Sequence, residues 1–427
     1  MPSPVTPPRG MRDILPADKA RREVLLATIR DTYRRHGFDE IETPVMEDSS
    51  RLHAGLGGDN EKLAFAVMKR GLTPDDLRSA TAPLDLADLG LRFDLTVPLA
   101  RFYASNRAEL PNVFRAIQIA PVWRAERPQK GRYRQFVQCD IDIIGEPGVI
   151  AEIELIAATV DALDALGVPG CTIRINDRRL LTSMLAALRF PANQADAVLI
   201  TLDKLDKIGV DGVLAELRDR GLPEAAVAAL AEVPALRAAA AGESAVSAVT
   251  ADAIRASLPA GIDETAVADL AAIADAVGAD VPLAFDPFLV RGMGYYTGPI
   301  FEVANPELGY SLGGGGRYDG MIGRFAGTDV AACGFSLGFE RLVDLVTSSQ
   351  DARGGSALVV DKDVAASDTI ALKRMLVASG ERVRIVARTN NMRALLERLE
   401  VDGYTRFASV RAGERDVAAL QWRALGE

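Results

Sequence analysis

Histidine and cysteine are almost missing from this chain. Two histidines, His36 and His53, and three scattered cysteines, Cys139, Cys171 and Cys333, form no CxxC pair, so a Cys/His zinc site has too few ligands. Chemistry must rest on arginine, carboxylates, tyrosine, backbone groups or a borrowed metal. No apolar run approaches the 18 residues of a membrane span, which predicts a soluble protein. The proline-rich N-terminal stretch carries no apolar signal core, and a cytoplasmic location follows as an expectation. Aromatic residues vanish between Pro191 and Leu283, where fifteen acidic residues face six basic ones.

The 427 residues are enough for two or three domains with real cores. Net charge is −10, but the aromatic-free island carries most of it and leaves the rest nearly neutral. Recognition of phosphates follows the local field rather than the overall charge. The strongest basic patch is Trp123 to Arg134, where Arg124, Arg127, Lys130, Arg132 and Arg134 face only Glu126. It is either a solvated turn or a phosphate-binding loop.

Periodicity orders the elements. Leu25, Leu26, Ile29 and Tyr33 recur at helical spacing after Pro16 and Asp18, and Gly37 ends that helix. Strands are predicted at 38–45, 89–97, 113–123 and 133–144, clustered without βαβ alternation, which implies an antiparallel sheet. A helix at 150–166 and a strand at 171–175 follow. The Ala-rich, helical stretch 176–282 reads as an insertion, after which strands return at 285–290 and 300–303. A linker near 349–356 leads into a small α/β module of alternating strands and helices. The expected class is α+β.

Three constellations can carry chemistry. Alternation along Phe136–Ile144 puts Val137, Cys139, Ile141 and Ile143 on one face and Gln138, Asp140 and Asp142 on the other. The polar face is either solvated or a wall of acceptors for an ammonium and a ring N–H. Leu91–Val97 repeats the pattern with Arg92, Asp94 and Thr96. The hairpin around Arg124–Arg132 bears cations suited to gripping phosphate in a bidentate fork, with Phe136 placed to stack on a base or to fill a core. The run Leu289–Gly298 sets Arg291 among three glycines and the pair Tyr295–Tyr296. It is a ligand-approach loop or a glycine-rich turn. The second glycine cluster, Leu312–Gly320, fits neither the P-loop nor the dinucleotide fingerprint. Glu340 and Arg341 head an apolar helix.

In combination these segments resemble class II aminoacyl-tRNA synthetases, and most closely the histidyl-tRNA synthetase family, through nearly the whole chain to about residue 346. Gly37–Pro44, Val122–Gly145 and Gly334–Leu342 are similar to the three class II motifs. Arg291–Thr297 and Gly313–Gly320 are similar to the two histidine-enzyme signatures, and Leu91–Pro98 to the histidine-pocket segment of the eukaryotic and archaeal type. The resemblance implies a class II catalytic domain over 1–350, interrupted by a helical insertion at 176–282, and a shortened anticodon-binding-like α/β domain over 355–427. By this likeness Asp94, Thr96, Gln138, Asp142, Tyr295 and Tyr296 would hold histidine, with Arg124 and Arg291 as catalytic cations that also touch it. Arg124, Glu126, Arg132, Phe136 and Arg341 would hold ATP. Arg127 and Gln129 are candidates for the tRNA acceptor end.

The implied reaction is attack of the histidine carboxylate on the α-phosphorus of ATP, then transfer of the histidyl group to tRNA(His). It needs no protein nucleophile and no metal cage, with Mg²⁺ riding on the outer phosphates. The resemblance also implies a homodimer through motif 1. One departure stands out: Gly294 replaces the Asp that precedes the tyrosine pair in the family. Two other readings fit some of the features. One is a non-catalytic, histidine-sensing regulatory paralogue of the synthetase that serves the first enzyme of histidine biosynthesis; the other is amino-acid activation for a carrier other than tRNA.

Overall fold

The computed structural model describes residues 5–53, 63–128, 131–291, 295–305, 308, 310–346 and 354–426. It divides into two compact units. One comprises 1–12 and 26–346, the other 13–25 and 347–427.

The larger unit is built on one eight-stranded sheet. In chain order its strands are β1 (Asp39–Glu40), β2 (Phe114–Trp123), β3 (Gln135–Ile144), β4 (Thr172–Asp177), β5 (Leu283–Phe285), β6 (Pro299–Ala304), β7 (Gly313–Arg317) and β8 (Ala332–Gly338). Their spatial order is β1-β2-β3-β8-β7-β6-β4-β5. The six inner strands pair antiparallel throughout, as the clustered strand signals predict, while β1 and β5 add to the two edges in parallel. The β2–β3 hairpin is the longest pairing, with Ala116 opposite Asp142 and Ala120 opposite Gln138.

Alternation then sorts the side chains. Cys139, Ile141 and Ile143 of β3 join Cys333, Phe335 and Leu337 of β8 on the apolar face, all buried. Phe335 stacks on Phe301 of β6 with ring centroids 5.5 Å apart. The helix Ile150–Ala165 buries Leu155, Ala158, Ala162 and Leu163. Fully burying such a side chain is worth about 1.5–3 kcal/mol, so this layer fixes the sheet's register.

One expectation is corrected here. The predicted strand 89–97 is instead a strand over Ala87–Leu91 and a helix over Thr96–Asn106. The chain leaves the ladder because Arg92 is buried and seeks carbonyls. Its guanidinium donates to Pro121 O at 2.9 Å, Thr43 O at 2.8 Å and Pro44 O at 3.2 Å. Asp94 then accepts the Val97 amide in the first helical turn at 3.2 Å. The strand after Cys171 runs on to Asp177, so Asn176 lies in the sheet. Helices follow from Arg178 to Val277. The second glycine cluster forms strand β7 itself.

Beneath the sheet lies a buried ion pair. Arg317, at the end of β7, meets Glu152 of the helix Ile150–Ala165 in a fork of 2.6 and 2.7 Å, and the Glu152 side chain is wholly enclosed.

In the second unit the parallel strands Val383–Ala387, Ser356–Val360 and Arg406–Val410 lie side by side, and Trp422–Ala424 pairs antiparallel at the edge. The helices Ala366–Ala378 and Met392–Val401 connect the parallel strands. Leu358, Leu372 and Leu376 fill one side of the sheet and Ala357, Val359 and Leu399 the other. A parallel sheet buried on both faces is expected from right-handed crossovers.

Removing one partner of an enclosed ion pair leaves an uncompensated charge. Arg317→Ala should therefore lower stability by about 3–5 kcal/mol, whereas the combined Glu152→Gln, Arg317→Met variant should lose far less. Chemical denaturation of the three proteins checks this, and an unshifted Arg317→Ala midpoint would contradict it.

Candidate active site

The polar face of the sheet lines a cleft of about 1580 Å³. Its floor is set by register. Gln138, Asp140 and Asp142 of β3 stand opposite Gly338, Ser336 and Gly334 of β8, and Gly314 of β7 pairs with both Ser336 and Glu302 of β6. Long polar side chains thus alternate with glycines. A Cβ on Gly334 would lie 2.0 Å from Asp142 Oδ1, and one on Gly314 would lie 2.5 Å from Arg291 Cζ. At those two positions glycine gives the room that a carboxylate and a guanidinium occupy.

Asp94, Asp140 and Asp142 form the acidic end. All three hold their protons more tightly than ordinary aspartates, chiefly because burial penalises the charged form. Asp142 is pushed up to about 7; burial leads, the Tyr318 hydroxyl opposes by donating to Oδ1 at 2.6 Å, and the charge of Asp94 adds to the rise. Gln138 donates to Ser336 Oγ at 3.0 Å, while its buried Oε1 accepts no bond among the described residues. An acceptor of this kind is costly to leave unpaired and marks the place of a ligand donor. Tyr295 and Tyr296 pack against each other with centroids 4.4 Å apart, and their hydroxyls lie at 3.3 Å. Tyr295 meets Tyr318 edge-on.

Four arginines form the cationic end, each anchored by one acceptor. Arg124 donates to Phe93 O at 2.9 Å and lies 5.0 Å over the Phe136 ring. Arg132 pairs with Glu126 at 3.2 Å. Arg291 pairs with Glu302, and Arg341 donates to Ser311 O and lies over Tyr310. Since guanidinium has five N–H donors, each retains others for an anion. The four share one field. Arg341 is held below the usual arginine range first by burial, and also by the charges of Arg132, Arg291 and Arg124.

The structure therefore brings to one cleft Asp94, Thr96, Arg124, Glu126, Arg132, Phe136, Gln138, Asp142, Arg291, Tyr295, Tyr296 and Arg341. Thr96 reaches it from a helix start rather than a strand, and the polar face of β3 is buried rather than solvated. Arg92 takes no part. Arg127 is exposed and outside the lining; Gln129 and Gly294 lie outside the described residues. Sequence reasoning missed Tyr318, Ser336 and Glu302 as members of the cleft. Tyr318 stands in the quoted glycine cluster, but its role appears only when β7 and β8 pair.

The model of the histidyl-tRNA synthetase family matches residues 10–342. A Leifsonia xyli protein named histidine--tRNA ligase is 59% identical over the whole of both chains. The chain belongs to the histidyl-tRNA synthetase family. A histidine--tRNA ligase of Aeropyrum pernix is 40% identical over 79% of this chain and 73% of its own. Among solved structures, the histidyl-tRNA synthetase of Nostoc sp. PCC 7120 superposes with TM-score 0.73 at 23% identity, covering 99% of this chain and 97% of that one. The α+β architecture is thus shared with solved histidyl-tRNA synthetases.

The perturbed Asp142 couples this synthetase fold to pH. The unfolded carboxyl loses its proton near pH 4 and the folded one near 7, so the folded state binds the extra proton in between. Stability from this group falls as pH rises from about 4 to 7 and is level above. The full penalty is about 4 kcal/mol. Denaturation midpoints at pH 5 and pH 8 should therefore lie closer together in Asp142→Asn than in the unaltered protein. An equal gap in both would refute the assignment.

Proposed function

We propose that the chain is a histidine--tRNA ligase that activates L-histidine with ATP and transfers it to the 3′ end of tRNA(His). The observation that carries this reading is four guanidiniums sharing one cleft beside a buried wall of carboxyl and amide acceptors. Histidine enters with its α-ammonium and imidazole toward the acceptor end. Asp94, Thr96, Gln138, Tyr295 and Tyr296 bind it, and Asp142 together with Tyr296 reads the ring. Its carboxylate then faces the arginines.

The adenine stacks on Phe136 while Glu126, Arg132 and Arg341 hold the nucleotide. A histidine carboxylate oxygen attacks the α-phosphorus, the bond to the bridging oxygen breaks, and pyrophosphate leaves with the electron pair. Arg124 and Arg291 stabilise the charge that builds on the α-phosphoryl oxygens, acting as preorganised donors in a partly desolvated cleft. In the second step the terminal ribose hydroxyl of tRNA attacks the activated carbonyl carbon and AMP departs. Among the described residues no three His, Cys, Asp or Glu side chains form a metal cage. Mg²⁺ would enter with the phosphates of ATP and offset their charge.

The remaining assignments belong to the same reading. Residues 1–350 act as a class II catalytic domain interrupted by a helical insertion that begins after the strand ending at Asp177 and runs to about 282, and 355–427 as a shortened anticodon-binding-like domain. Arg127 and Gln129 meet the tRNA acceptor end, the enzyme works as a homodimer, and its location is the cytoplasm. No helix among the described residues is long and apolar enough to cross a membrane.

Two measurements test the reading. Pyrophosphate exchange with each of the twenty amino acids should respond to histidine alone; a preference for another amino acid overturns the pocket assignment. Arg291→Ala should leave histidine binding measurable while cutting adenylate formation by more than about a hundredfold, the usual loss for a preorganised charge donor. Parallel loss of both would count against its role.

A further inference from the structure

The N-terminal segment meets the cleft from outside at Arg12. Gly10, with φ +83°, packs against Pro128 and Arg134 so closely that a Cβ would lie 2.6 Å from Pro128 Cγ, and its carbonyl accepts the Arg134 amide at 2.8 Å. Two residues on, the Arg12 guanidinium lies 3.7 Å over the Tyr133 ring and donates to the Tyr133 hydroxyl at 3.0 Å. Its other terminal nitrogen pairs with Glu340 Oε2. The second oxygen of Glu340 accepts the Val137 amide at 3.4 Å. Tyr133 and Glu340 both line the cleft.

Arg12 therefore ties two elements that carry nucleotide-facing groups. Tyr133 sits in the β2–β3 loop directly after Arg132. Val137 directly follows Phe136, and Glu340 directly precedes Arg341 at the head of the helix Phe339–Leu345. The pairing also fixes a buried carboxylate. Glu340 is 7% exposed and takes Arg12 on one oxygen and the Val137 amide on the other, while the adjacent Arg341 donates to Ser311 O.

We propose that Arg12 is a positioning residue for ATP: it clamps the β2–β3 loop that carries Arg132 to the head of the helix Phe339–Leu345 that carries Arg341. This inference rests on the proposed synthetase reaction. The clamp's contacts are Tyr133, Glu340 and the Val137 amide, on the loop and helix head that carry Arg132 and Arg341, and neither Asp94 nor Asp142 is among them, so it acts first on the nucleotide.

The test is histidine-dependent pyrophosphate exchange of the full chain, with KM measured separately for ATP and for histidine. Arg12→Ala should raise KM for ATP about tenfold or more and leave KM for histidine within twofold. Arg12→Lys, which can pair with Glu340 but lacks the planar fork over Tyr133, should fall between. Glu340→Gln alone, which removes the ion pair with Arg12 from the other side, should raise KM for ATP in the same direction and leave KM for histidine within twofold. Equal rises in both KM values, or none, would overturn the clamp. Absence of exchange in the unaltered protein would instead overturn the synthetase reading.

Discussion

Like charges do not gather without a partner, and the organisation of this cleft follows from that constraint. Arg124, Arg132, Arg291 and Arg341 lie close enough that three of them weaken the hold of the fourth on its proton. At the other end, Asp94 raises the proton affinity of Asp142, and Asp142 that of Asp140. Arg124 bridges the two ends, since its charge opposes the rise at both Asp94 and Asp140. The cationic group and the acceptor wall lie at two ends of one cleft on one face of the sheet, and together they define an electrical axis. A zwitterionic amino acid with a cationic end and a carboxylate can lie along that axis in one orientation only, and its carboxylate then points at the phosphate site.

The scaffold that keeps these charges in place is paid for on the other face of the sheet. The stacked Phe301 and Phe335, the packed helix Ile150–Ala165 and the enclosed Arg317–Glu152 fork fix the register of β6, β7 and β8. Register matters because a one-residue slip of β8 would turn Gly334 away from Asp142 and put the side chain of Cys333 or Phe335 in its place. Core packing and site chemistry are therefore consequences of the same alternation.

How far this was legible in the sequence depended on separation along the chain. The alternation in Phe136–Ile144 and the cation-rich hairpin were visible because both are local patterns, but only the pairing of β3 with β8 shows the polar face of β3 to be buried rather than solvated. The segment around Asp94 gave the correct residues in the wrong element: Phe93, Leu95 and Val97 are buried as a strand would have them, but a buried Arg92 needing three carbonyls ended the ladder early. Periodicity cannot see that demand. Contacts that depend on pairing distant strands were invisible: Arg291 with Glu302 over Gly314, Tyr318 with Asp142, and Arg12 with Glu340. The family motifs named Arg291 and Asp142 but not their partners Glu302 and Tyr318, because a motif marks a segment and not the strand that will lie beside it.

The central claim is that guanidiniums from distant parts of the chain meet on one phosphorus atom. The most direct measurement is a crystal structure of the protein with histidine and a non-hydrolysable ATP analogue. The account predicts the α-phosphate between Arg124 and Arg291, the adenine on Phe136, and Gln138 Oε1 accepting from the histidine ammonium. A nucleotide bound elsewhere, with Arg291 still engaged only by Glu302 and Gln138 Oε1 still without a donor, would contradict it.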